Sequence, residues 1–454
     1  MATSSTSASA AAARDIAQKH RDYVLTPWLP QGGLDVPTIV RGSGFYLFDA
    51  EGTRYADLTS GLVAANLGHG HPAVLAAMHD QIDRLCFGPP NWFNDARAEL
   101  AETLIGLTSW HDEGGRVFFT TNGAQANEDA VKFARAITGR PKILAAYRSF
   151  HGSSPGAAAL SGENRRWTSE QTVMPGIVRF WAPYPYRSPF DTTDPAVETE
   201  RALAHLRLTI AAEDPGRIAA ILIEPVVGSN GVIVYPPGYL EGVREICDAT
   251  GILMICDEVM TGFGRTGGAF GSTRFGVVPD AITFAKGVTS AYVPLGGVIL
   301  RERLAATFDT LALPAGHTYS GHPVAMSAGL AAIRAYREEG LFARAWFLDT
   351  YIRMKLERIA SRHQIVGDVR GIGAFFALEF VSDRATRTPL VAWQGASLGI
   401  MATLYAGLRR RGVYAFGRYN VLCIAPPFVA SDAELDEALD ALDGAIGDLE
   451  RAVG

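Results

Sequence analysis

The stretch ICDEVMTGFGRTGG, residues 255–268, decides how the chain is read. Gly262, Gly264 and Gly267 stand in G-x-G-x-x-G spacing after an apolar, strand-like run. An acidic residue, Asp280, lies roughly 20 positions on, which completes the outline of a dinucleotide-binding fingerprint. That fingerprint requires the glycines to open a helix, because the helix N-terminus holds the pyrophosphate. The segment after these glycines is GAFGSTRFG (268–276), with no 3.6-residue apolar period. Two carboxylates, Asp257 and Glu258, also stand at the strand end ahead of the glycines. The dinucleotide reading fails, and the purpose of the carboxylates has to be sought in the rest of the chain.

Apolar runs that read as strands lie at RVFFTT (116–121), KILAAY (142–147), IAAILIEPVV (218–227), GILMICDEV (251–259) and DAITFAK (280–286). Helical patterns lie between them, at AQANEDAVKFARAITG (124–139) and GYLEGVREICDAT (238–250). Alternating strands and helices predict an α/β fold with a parallel sheet covered on both faces. Upstream, 42–61 reads as a small hairpin and 71–85 as an amphipathic helix. After about residue 325 the pattern becomes α+β. A long helical stretch (324–362) leads to the strand-like VGDVRGIGAFFALEF (366–380) and a closing helix from Asp432. The expected division is a disordered tail at 1–20, part of a small domain at 21–60, a large domain at 61–325, and the rest of the small domain at 326–454.

Bulk properties narrow the function. With 454 residues, 48% hydrophobic and 19% charged, the chain is ordinary globular protein. A net charge of −6 offers no attraction to nucleic acid or anionic membrane. No run of about 18 apolar residues could span a bilayer. Cys86, Cys247, Cys256 and Cys423 are scattered, which fits free thiols in the cytoplasm. No ligand spacing suggests a metal.

Ligands of open α/β sheets bind at the carboxyl ends of the strands. Four runs here end in TNGA (121–124), Glu224, Asp257 and Lys286. A single polar residue at a strand end is ordinarily just the first solvated one; the combination is more specific. Lys286 is placed to project an amine into a cleft, where desolvation makes it a nucleophile toward carbonyls. Asp257 supplies a fixed negative charge. The amides of Gly123 and Ala124 open a helix and form an anion cradle. Amine, carboxylate and phosphate cradle together describe a pyridoxal 5′-phosphate site, with Lys286 bonded to the cofactor and Asp257 against its ring nitrogen.

The motifs DEVMTGFGRTG (257–267), FAKGVTSAYVPLGG (284–297) and HTYSGHP (317–323) together resemble the class III (omega, or subgroup II) aminotransferases of pyridoxal-phosphate fold type I. The resemblance covers about residues 25 to 450. It implies a large domain built on a mostly parallel, seven-stranded-type sheet and a small α+β domain made from both chain ends. It also implies that Phe150 and His151, in SFHG, lie at the cofactor with Phe150 stacked on the ring. Val259 would pack on the other face, and Thr318 would reach phosphate across the interface of a homodimer, or of a tetramer built from dimers. Glu224 and Arg265 match further motif positions and are expected to be structural.

Departures from the family pattern narrow the substrate. Asn122-Gly123-Ala124-Gln125 replaces a common Ser-Gly-Ser-Glu, and Phe150 stands where many relatives have Tyr. Ser229 stands where glutamate-using members carry a second Glu. This counts against GABA, ornithine and acetylornithine and favours an amine, omega-amino or beta-amino donor with pyruvate as acceptor, by ping-pong turnover. Arg418, before the APP segment, is the expected acceptor-carboxylate ligand. Trp28 and Trp92 are candidates for the pocket wall. So is Val63, where amine transaminases of this branch carry Trp. Two alternatives remain: an aminomutase of the glutamate-1-semialdehyde kind, and a noncatalytic pyridoxal-phosphate-binding protein.

Overall fold

The computed structural model describes residues 3–172, 174–395 and 399–454. The central sheet has seven strands in the spatial order Gly115–Thr120, Gly296–Arg301, Ala281–Phe284, Leu253–Asp257, Ile218–Ile223, Lys142–Ala146, Ile177–Phe180. Gly296–Arg301 is antiparallel to both its neighbours, whereas the other pairings are parallel. Ile218–Ile223 and Leu253–Asp257 are buried along their whole length. Continuous apolar runs of this kind form strands covered on both faces, because neither face meets water. Gly296–Arg301 and Ile177–Phe180 were not among the runs read as strands. The first is preceded by a Pro and begins with two glycines, and the second is only four residues long.

The small domain takes strands from both ends of the chain. Ile39–Ser43, Tyr46–Asp49 and Arg54–Asp57 form an antiparallel meander, and Val413–Tyr414 joins Arg54–Asp57 in parallel. A second sheet holds Val366–Ile372, Phe375–Asp383, Val421–Ile424 and Gly417–Arg418. The closing helix Asp432–Val453 starts on a capping box in which Ser431 and Glu434 satisfy each other's backbone N–H. One apolar cluster runs from Phe284 through Phe263 and Tyr336 to Leu439, so the two domains share a core.

Two local expectations change. The helical stretch 324–362 is two helices, Pro323–Glu338 and Leu341–Arg362, separated at Gly340, whose φ of 66° stops the first. Thr3–Tyr23 is a helix rather than the disordered tail expected at 1–20. Its run of alanines has the highest helix propensity of any residue type. Met1 and Ala2 lie outside the described residues. Among the described residues, no helix is long and apolar enough to cross a membrane.

Candidate active site

Leu253–Asp257 and Ala281–Phe284 run in parallel, with Asp257 opposite Thr283. Asp257 and Lys286 therefore leave the sheet at the same end. Asp280 precedes its strand and lies at the other end. There its carboxylate accepts from Met254 N (2.8 Å) and Arg244 (2.9 Å) and pairs with Arg303. That excludes the ribose-binding role the fingerprint would have given it. The adjacent carboxylates diverge as side chains at a strand end must. Glu258, fully buried, accepts from the backbone N–H groups of Gly271 and Ser272 at 2.7 Å and from Thr261. It pins the loop, whereas Asp257 is directed at His151 and Asn127. In that loop Gly264 and Gly267 have φ of 94° and 89°, a turn that only glycine enters without strain.

Asp257 is 3% exposed. Its Oδ2 lies 2.7 Å from His151 Nδ1 and accepts from Asn127 Nδ2 at 2.8 Å, while Oδ1 accepts from Val259 N at 3.0 Å. A carboxylate only accepts, so Nδ1 of His151 carries the proton. His151 Nε2 is buried with no hydrogen-bond partner. Glu224, also buried, accepts from Phe150 N (3.0 Å) and Gly228 N (2.8 Å), which locks the aromatic-His-Gly turn. Burial pushes its carboxyl up to about 7.

Lys286 comes just after its strand in a left-handed conformation, φ 48°. Such strain in a non-glycine residue collects at functional sites. Its Nζ forms no hydrogen bond or ion pair with any described residue. Burial pushes the amine down to about 8, against the opposing pull of Asp257 and Glu224. The helix Gly123–Thr138 starts beside it. Asn122 caps the helix by accepting from Gln125 N (3.0 Å), and Gln125 Oε1 accepts from Thr121 N (3.1 Å). The amides of Gly123 and Ala124 are left without a protein acceptor among the described residues. A β carbon at Gly123 would lie 2.9 Å from Val259 Cγ2, so any larger residue requires Val259 to move.

The cleft wall holds a charged group that sequence reading overlooked. Arg165 lies over the Phe150 ring, its guanidinium carbon 3.5 Å from the centroid, and 5.6 Å from the Trp28 ring. Its Nε donates to Glu163 Oε1 (2.7 Å), and Arg418 Nη2 donates to Glu163 Oε2 and to Asn164 Oδ1, both at 2.6 Å. One fully buried carboxylate thus bridges two arginines. Arg165 Nη2 and Arg418 Nε are both buried without partners.

Residues 33–446 match the profile of the aminotransferase class-III family. The chain is a class III aminotransferase. It is 35% identical over 416 residues to the probable aminotransferase Rv3329 of Mycobacterium tuberculosis, covering 89% of this chain and 88% of that protein. Among solved structures, it superposes with a TM-score of 0.93 on the taurine:2-oxoglutarate aminotransferase of Bifidobacterium kashiwanohense, in complex with PLP and glutamate. The two are 40% identical, over 97% of this chain and 99% of that one. An (S)-enantioselective omega-transaminase from Thermomicrobium roseum gives a TM-score of 0.90 at 34% identity, over 96% and 99% of the two chains. The aminotransferase therefore depends on pyridoxal phosphate. Its residues fit that cofactor: an unpartnered amine, a solvent-excluded carboxylate and two unpartnered amides at a helix start.

The remaining candidates are less uniform. Thr318 is exposed on a segment anchored by His317, whose Nε2 lies 2.6 Å from the buried Asp129. Trp28 and Trp92 are 62% and 69% exposed. Val63 is 2% exposed and belongs to an apolar cluster that includes Val232, Met260 and Cys423. Arg265, expected to be structural, is fully buried. It donates to Ala374 O (2.9 Å), Pro426 O (2.8 Å), Ser60 Oγ (3.1 Å) and Asn66 Oδ1 (2.5 Å), so one guanidinium ties the strand-end loop to both chain ends. Asn127, Glu163 and Arg165 were missed. Asn127 reads as a polar break in a helix, and SGENRRW (161–167) has no period to mark it.

Proposed function

We propose that the aminotransferase moves an amino group from a donor carrying an acidic group at its far end, an omega-amino acid or amino sulfonate, to a keto acid. The observation that carries the donor class is the pair of unpartnered guanidinium N–H groups on Arg165 and Arg418. A buried donor left unpaired costs about 1–3 kcal/mol, which a substrate carboxylate or sulfonate would recover. Likeness to a taurine:2-oxoglutarate enzyme supports the same class.

The cofactor, when bound, supplies a sink for the electrons of the bond broken at the substrate carbon. Asp257, 3% exposed, would face the ring nitrogen and favour a proton there. Phe150 and Val259 would bracket the ring, and the Gly123 and Ala124 amides would take the phosphate with the helix dipole behind them. Lys286 Nζ tethers the cofactor at rest. When free, its amine would carry the proton on and off the substrate carbon. The two half-reactions share this one site, so turnover is ping-pong. Thr318 completes the phosphate site of a second copy, and the working unit is a homodimer.

Pyruvate is the acceptor favoured by Ser229, which leaves no carboxylate where glutamate-using relatives have one. 2-Oxoglutarate is the second reading, favoured by two cations that could hold its two carboxylates. A panel of acidic and neutral amines against each keto acid, scored by alanine or glutamate formed, decides both points. Arg165→Met should raise KM for acidic donors at least tenfold and leave neutral amines within about twofold. Equal loss for both donor types would overturn the donor class. Turnover without any keto acid would favour the aminomutase.

A further inference from the structure

Asn127 stands directly behind Asp257 on the helix Gly123–Thr138 and is 1% exposed. Its Nδ2 donates to Asp257 Oδ2 (2.8 Å) and to the His151 carbonyl (2.9 Å). Both of those neighbours only accept, so the amide cannot be turned the other way. Oδ1 must then face Thr283, whose hydroxyl donates to it at 2.7 Å. Thr283 is fully buried on the strand Ala281–Phe284, and this is the hydrogen bond its hydroxyl makes.

The consequence lies at Asp257. A carboxylate offers about four acceptor sites. His151 Nδ1 and Asn127 Nδ2 occupy Oδ2, and Val259 N occupies one side of Oδ1. One direction on Oδ1 is left. We propose that Asn127, anchored from behind by Thr283, is the positioning residue that saturates Oδ2 and leaves Asp257 a single open acceptor direction for the ring N–H of the cofactor. The inference rests on the reading in which Asp257 faces that nitrogen.

Without the amide, Oδ2 keeps only His151 and Oδ1 only Val259 N, so the carboxylate is held less firmly and has an open acceptor direction on each oxygen. The charged and titratable groups around it are His151, Glu224, Lys286 and, on its own strand, Cys256. None of them can replace Asn127. Glu224 is held by two backbone amides, Lys286 belongs to the cleft, and burial keeps the Cys256 thiol protonated.

The test uses holoenzyme carrying cofactor labelled with 15N in the ring. The ring-nitrogen resonance reports protonation, and fluorescence titration of the apoenzyme reports cofactor affinity. Thr283→Val, of nearly the same shape, should move the resonance toward the unprotonated position and weaken cofactor binding about tenfold. Thr283→Ser, which keeps the donor, should restore both. Asn127→Leu should exceed Thr283→Val in both readouts and supplies the measurement if Thr283→Val does not fold. Wild-type resonance in Thr283→Val and Asn127→Leu, with Asp257→Asn shifted, would overturn the inference and leave the Asp257 reading standing. An unshifted resonance in Asp257→Asn would overturn the reading itself.

Discussion

Val259 occupies the space that a side chain on Gly123 would need: a β carbon there would lie 2.9 Å from Val259 Cγ2 and 3.1 Å from Cγ1. The helix start and the residue after the strand-end carboxylates are thus packed too closely for a side chain to stand between them. Gly123→Ala should push Val259 into the cleft and weaken cofactor binding tenfold or more, a cost in the range of core overpacking. Val259→Ala in the same chain should return most of the affinity. Equilibrium titration of the four proteins in a double-mutant cycle measures the coupling; additive effects would show that the contact does not matter.

Lys286 should react as a neutral amine at unusually low pH. Burial disfavours its charged form and brings it to about 8. Half the molecules then carry a free amine near pH 8, where an ordinary lysine has about 1% or less. Covalent capture of pyridoxal phosphate by apoenzyme, monitored by absorbance, should rise through pH 8 and fall away below it. A midpoint above about 10 would mean the amine is solvated. Stability should rise with pH between about 8 and the unfolded value near 10.4, because the unfolded chain binds more protons there, and Lys286→Met should lose that slope.

Arg265 is expected to hold the two domains together. It has four acceptors and no carboxylate, and although burial pushes it down to about 10 it stays charged at neutral pH. Arg265→Met should cost about 3–5 kcal/mol in denaturant unfolding, from four acceptors left unpaired. Arg265→Lys should recover little of it, since an ammonium cannot span the planar fan of partners.

Val63→Trp should act on stability before it acts on substrate choice. The side chain is 2% exposed in an apolar cluster that includes Val232, Met260 and Cys423, and its backbone has φ 58°, a strained position for a β-branched residue. Inserting an indole should lower stability by about 1–3 kcal/mol. Thermal unfolding and kcat/KM for a small and a bulky donor, measured together, separate the effects. An unchanged melting temperature with loss confined to the bulky donor would return Val63 to the pocket wall.

Strand-helix alternation and the strand-end residues were readable because each is local. An apolar run buried on both faces announces a strand wherever it occurs, and Asp257 and Lys286 announce themselves by ending such runs. Gly139 closing its helix, and Ser431 with Glu434 opening the last one, are equally local. Asn127, Glu163 and Arg165 carry no such signal. Each is a polar residue whose meaning comes from partners far along the chain, such as Thr283 for Asn127 and Arg418 for Glu163. The split at Gly340 was hidden because the helical pattern resumes in the next residue.

By itself, the sequence determined the α/β class, the family and the order of cradle, carboxylate and amine, since periodicity and motif spacing are properties of a continuous chain. Only the tertiary structure showed what the second of the two adjacent carboxylates does, with Glu258 accepting from Gly271 N and Ser272 N to pin the loop. Asp257 and Glu258 are neighbours in the chain, and the alternation of side chains at a strand end sends them to opposite faces. Folding likewise made Val63 core, gave Arg265 its four partners and set one buried glutamate between two arginines. Burial and unpaired hydrogen bonds arise only when distant segments pack, and they are what give those side chains their roles.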